Sequence, residues 1–111
     1  MAIFSRAEMG RRHEALRERM KLGDVDAVIA TSFAVFYYLS GVPLHPFGRP
    51  MAVVIPLDGE PVIIEAIIDR GHTLLQSWIQ DVRNYWDYNP TPSHENPHPP
   101  LDSLIYHLRR V

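Results

Sequence analysis

Met51-Ala52-Val53-Val54-Ile55-Pro56-Leu57-Asp58-Gly59-Glu60-Pro61-Val62-Ile63-Ile64-Glu65 is the stretch on which the fold turns. Two short runs rich in β-branched residues flank Leu57-Asp58-Gly59-Glu60. An Asp-Gly pair between such runs marks a tight hairpin turn. The spacing predicts antiparallel strands over 51–56 and 61–65.

Upstream, Ser5 and Glu8 form a Ser-x-x-Glu capping pattern ahead of a helical repeat. Met9, Leu16 and Met20 recur on one face, with His13 and Ala15 beside them. Glu8 stands four residues before Arg12, a favourable helical pair, and Gly23 is placed to close the helix in a left-handed turn. A helix over 6–22 follows. Val25-Asp26-Ala27-Val28-Ile29-Ala30-Thr31 reads as a strand buried on both faces. Ser32 caps a short helix over 33–39, and Gly41 ends it. Three prolines and a glycine over 43–50 exclude regular structure there and stiffen the segment.

Downstream, helical spacing returns over 67–80, with Ile68, Leu74, Leu75, Trp78 and Ile79 as the expected buried set. A fourth strand is expected over 82–86. Residues 87–100 hold five prolines and form a loop or crossing. Leu101, Leu104, Ile105 and Leu108 are spaced for a last helix. Helix, strand, helix, hairpin, helix, strand, helix implies an α/β fold, a three-layer mixed-sheet sandwich. At 111 residues this is one domain, 1–111, with one core. The chain ends directly after its last helical run, which reads as a part of a longer enzyme.

Composition narrows the function classes. The chain is 46% hydrophobic and 22% charged with a net charge of −2, so no basic excess points to nucleic acid. No run is long and apolar enough for a membrane span, and the start does not resemble a signal peptide. With no cysteine, disulfides and thiolate chemistry are excluded, and a cytoplasmic location is expected.

Chemistry-bearing motifs are absent. Six histidines invite a metal reading, but Pro97, Pro99 and Pro100 deny His94 and His98 the helix that would align them. His13 and His107 read as boundary residues of helices, and Asp69 with His72 is an isolated pair. No Gly-x-Ser-x-Gly elbow, phosphate loop or paired acid/base carboxylates occur. Neither a catalytic nor a metal-ligating residue is expected in this chain. The exception to this plainness is Leu44-His45-Pro46-Phe47-Gly48-Arg49-Pro50. A stiff loop presents a ring and a guanidinium at little ordering cost, and arginine grips a carboxylate with two parallel hydrogen bonds. The competing reading places Phe47 in the core and pairs Arg49 with a surface acid.

Four stretches, in order, resemble the amino-terminal domain of the creatinase, prolidase and aminopeptidase P family. They are the opening helix around Arg11-Arg12-His13-Glu14-Ala15-Leu16; Val25-Asp26-Ala27-Val28-Ile29-Ala30-Thr31-Ser32; Phe36-Tyr37-Tyr38-Leu39-Ser40-Gly41; and Arg49-Pro50 leading into the hairpin. Val25 stands where the family's first strand usually has a glycine ahead of its Asp-Ala. The resemblance implies a ribonuclease H-like domain ahead of a downstream catalytic domain in the same chain. It also implies that the chemistry lies elsewhere: two divalent metal ions (Mn, Co or Zn), or none in the creatinase type, bound outside this chain. Phe47-Gly48-Arg49 stands where creatinase-like enzymes use a Phe-x-Arg to contact substrate in the partner subunit of a homodimer. Phe47, Arg49 and His45 are therefore the expected substrate-binding residues, for a small peptide or a creatine-like compound. The expected role is non-catalytic: shaping the cleft and supporting the dimer. The alternatives are a stand-alone carboxylate-binding module and a purely structural dimerisation module.

Overall fold

The structure is a computed structural model that describes residues 2–45, 49–85 and 106–111. Phe47, the proline-rich stretch 87–100 and the start of the last expected helix lie outside the described residues. Helix α1 spans Arg6–Leu22, strand β1 Ala27–Ala30, helix α2 Phe33–Ser40, β2 Ala52–Pro56 and β3 Val62–Ala66. A 3-10 turn over Ile67–Asp69 leads into α3, Arg70–Gln76, and β4 spans Asp81–Tyr85. The strands form one mixed sheet in the order β1-β2-β3-β4. β1–β2 and β2–β3 are antiparallel, and the crossover through α3 makes β3–β4 parallel.

The hairpin forms as its turn residues dictate, with Gly59 at a φ of +116°. It is also the centre of the sheet. Val53, Ile55 and Ile63 face α1 and α2 and join Phe36, Leu39, Val42 and Met51 in the main core. On the opposite face Val54, Val62, Ile64, Ala66 and Tyr85 form a second cluster, against which Leu108 packs. Burial on both faces accounts for the near-continuous apolar sequence of these two strands.

Expectation and structure part in four places. β1 is not buried on both faces: it is the sheet edge, and Ile29 is 55% exposed. Its apolar run is indistinguishable from that of a central strand, because the pattern does not say which neighbours the strand finds. Gly23 has a φ of −91°; the left-handed residue is Asp24, at +56°. Ser5 does accept from the Glu8 N–H at 3.1 Å, but the Glu8 carboxylate turns to the guanidinium groups of Arg11 and Arg12 and not back to the cap. Those two arginines hold the Glu8 carboxyl down at about 2.

The fourth difference concerns the crossover. α3 is short, and Ile68, Leu74, Leu75 and Trp78 are exposed; of the expected set only Ile79 is buried. Polar contacts set the rotation of this helix. The Thr73 hydroxyl donates to Glu65 and the Arg70 guanidinium donates to Val82 O, so those residues face the sheet and the leucines face away.

Phe36 is fully buried at the centre of the main core. Phe36→Ala is expected to cost about 3–5 kcal/mol by cavity formation. Ile29→Ala on the exposed edge is expected to cost less than about 1 kcal/mol. Urea unfolding of the two variants checks both values.

Candidate functional site

Residues 42–45 and 49–51 lie between α2 and β2, which begins at the end of the sheet where β3 and β4 finish, since Ala52 pairs with Ile64 and Ala66 with Tyr85. Both of these described stretches are pinned. Gly41 closes α2 at a φ of +80°, its N–H donating to Tyr37 O, a conformation in which a Cβ is strained. The Val42 N–H donates to Ser40 Oγ at 3.1 Å, and the Leu44 N–H donates back to Val42 O at 2.9 Å. Val42 is buried, Leu44 packs on the main core, and the His45 ring stacks on Phe33 with centroids 4.2 Å apart and planes 4° from parallel. On the far side, the Tyr85 hydroxyl donates to Pro50 O, and Met51 is buried.

These anchors place the expected residues differently. His45 is an exposed ring backed by an aromatic partner. Arg49 is half-buried, one residue before the Pro50 anchor. Phe47 lies outside the described residues, so its orientation is not part of the site as drawn. Tertiary contacts at Phe33 and Tyr85, which sequence spacing does not reveal, hold His45 and Pro50.

Beside the same sheet end sits a polar cluster that the sequence reading missed. Glu65 is the penultimate residue of β3 and is 0% exposed. Thr73 Oγ1 donates to it at 2.6 Å, and Asn84 Nδ2 donates at 3.4 Å. Asn84 Oδ1 in turn accepts from Arg70, and Asn84 O accepts from His107 Nε2 at 3.2 Å. One carboxylate thus fastens α3 and β4 to β3. Burial pushes the Glu65 carboxyl up to about 7, against the hydrogen bonds from Thr73 and Asn84 that favour its charged form. The available signal was parity: Glu65 shares a face with the core residue Ile63, so a strand ending there turns a carboxylate inward.

Among the described residues, no group of three His, Asp or Glu side chains is placed to hold a metal ion. His13 Nε2 donates to Leu39 O at 2.7 Å and joins α1 to α2. Far from being a boundary residue it is buried, because α2 closes over that face of α1.

Residues 12–110 match the family described as Creatinase/Prolidase N-terminal domain. Creatinase from Bacillus sp. (strain B-0618) is 35% identical over 108 residues, which is 97% of this chain and 23% of that protein. The chain therefore spans about a quarter of the length of the relative it matches. The structure is similar to dipeptidase PepE from Mycobacterium ulcerans, with a TM-score of 0.66 and 25% identity over 76% of this chain and 24% of that one. The Creatinase/Prolidase N-terminal domain of an X-Pro dipeptidase from Streptococcus pyogenes has the same fold, at a TM-score of 0.65 and 16% identity over 71% of this chain and 63% of that one.

An acid whose pKa is higher folded than unfolded holds its proton longer in the folded chain. Between about 4.5 and about 7 the folded form thus binds more protons through Glu65, and stability falls as pH rises through that window, by up to about 1.4 kcal/mol per pH unit. Glu65→Gln is expected to flatten this slope, as read from urea midpoints across the window.

Proposed function

This chain belongs to the creatinase/prolidase N-terminal domain family, and on that premise we propose that it is the non-catalytic, substrate-shaping domain of a longer creatinase- or Xaa-Pro-peptidase-like hydrolase. Its loop over 42–51 narrows the substrate cleft of that enzyme, and the domain contributes to a homodimer interface. Arg49, with Phe47 and His45 beside it, contacts the substrate, a small peptide or a creatine-like compound. The single observation that carries this reading is the double pinning of the loop, on Phe33 and the main core at one side and on Tyr85 at the other. An arginine next to backbone so held loses less freedom on meeting a carboxylate, and its planar fork fixes the orientation of the bound group.

The reacting groups belong to a downstream catalytic domain. Two divalent ions (Mn, Co or Zn) serve there, or none in a creatinase-type enzyme. The described residues of this chain do not offer three ligands to such an ion. No described helix is long and apolar enough to cross a membrane. We place the enzyme in the cytoplasm, which suits a chain without cysteine.

The reading makes two expectations. The 111-residue chain alone should turn over neither Xaa-Pro dipeptides nor creatine, with or without added manganese or cobalt; steady product formation by the pure chain would refute the non-catalytic role. In the longer enzyme, Arg49→Ala should lower kcat/KM by about 1–3 kcal/mol equivalent through loss of a charged hydrogen bond. Unchanged kinetics would remove Arg49 from the substrate.

A further inference from the structure

At the opposite end of the sheet from Arg49, a cleft of about 640 Å³ lies between α1 and the residues that lead into β3 and β4. That volume falls within the range of small-molecule sites. We infer that this cleft binds a short zwitterionic peptide with apolar side chains.

The charges at its two ends are unlike and unused. Arg6, on the first turn of α1, and Glu60, just before β3, both line the cleft, and neither has a hydrogen bond or ion pair among the described residues. The other charged residues lining it are differently placed. Arg17 donates to Pro56 O at 3.1 Å and to Gly59 O at 2.7 Å, and Asp81 is paired with Arg83 at 3.1 Å. Because Arg17 holds the turn next to Glu60, the rise of α1 separates the Arg6 end from the Glu60 end by about 16 Å along the helix axis. Arg6 suits a terminal carboxylate and Glu60 a terminal ammonium. Extended backbone advances about 3.3–3.6 Å per residue, so a ligand of about three residues spans the gap once both side chains reach inward.

Between those ends the cleft offers one buried acceptor and an apolar wall. His13 is only 9% exposed. A carbonyl only accepts, so the Nε2 that meets Leu39 O carries the proton. Nδ1 has no partner among the described residues, on a residue that lines the cleft, and it accepts in the tautomer that carries its proton on Nε2 alone. A peptide N–H satisfies it. Trp78 is 45% exposed, yet its ring is fixed, because the indole N–H donates to Phe4 O at 2.9 Å. With Met9 it supplies the surface for an apolar side chain.

Gly10 supports the assignment. It lies inside α1, where glycine weakens a helix relative to alanine. A Cβ built there meets nothing within 4 Å, and its φ is not positive. Neither packing nor backbone geometry requires the glycine, and it lines the cleft, where a larger side chain takes up the open space.

The test is a titration of the isotopically labelled chain with Ala-Leu-Ala, followed by amide and indole NMR shifts. Saturable shifts are expected at Gly10, His13 and the Trp78 indole. The N-acetylated, C-amidated tripeptide should bind about tenfold more weakly, as should the free tripeptide to Arg6→Ala, each having lost charged hydrogen bonds. Gly10→Met, which fills the floor, should abolish binding with no fall in the urea midpoint. Shifts that fail to saturate, equal affinity for the capped peptide, or full binding by either variant would each overturn the site.

Discussion

The hairpin of β2 and β3 is dry on both faces, and most of the molecule exists to keep it so. Val53, Ile55 and Ile63 need cover on one side; Val54, Val62 and Ile64 need it on the other. α1 and α2 close the first face, with Met9, Met20, Phe36 and Leu39 buried between helices and sheet. Leu108 belongs to the second. Burying apolar surface at roughly 25 cal/mol per Å² is the dominant favourable contribution here, and no disulfide supplements it.

That central position separates two ends of the sheet with different characters. At one end lie a buried carboxylate, its hydroxyl and amide partners, and His45 and Pro50, held by an aromatic stack and a tyrosine hydroxyl. At the other end α1 borders a cleft lined by Arg6 and Glu60, neither of them paired among the described residues. The β3–α3–β4 crossover connects the two. Its helix is held by Thr73 and Arg70, not by its leucines. A short helix fastened by polar contacts leaves its apolar residues outward, and Leu74 and Leu75 are exposed.

Glu65 illustrates how such fastening trades strength for sensitivity. A carboxylate inside a sheet is disfavoured by desolvation, and only its donors make the charged form tolerable. The same group therefore joins three elements and makes their joining depend on pH. An apolar residue there would pack without titrating, but would leave Thr73 Oγ1 without its acceptor.

The amino-acid sequence by itself determined the elements from α1 to β4 and their order. Ser5 and Ser32 start helices, Gly41 ends one, Asp58-Gly59 turns a hairpin, and Arg49-Pro50 leads into it; each signal acts over a few residues, so each is readable without neighbours. Only the tertiary structure decided which apolar run is central, because Val28-Ile29 and Val53-Val54 have the same local pattern and differ only in what pairs beside them. It likewise decided that Leu74 and Leu75 face outward, that His13 is buried, and that Arg49 stands next to an anchored Pro50. Periodicity records what one chain segment prefers; burial and fixation depend on groups distant in sequence, brought together by the closing of the sheet.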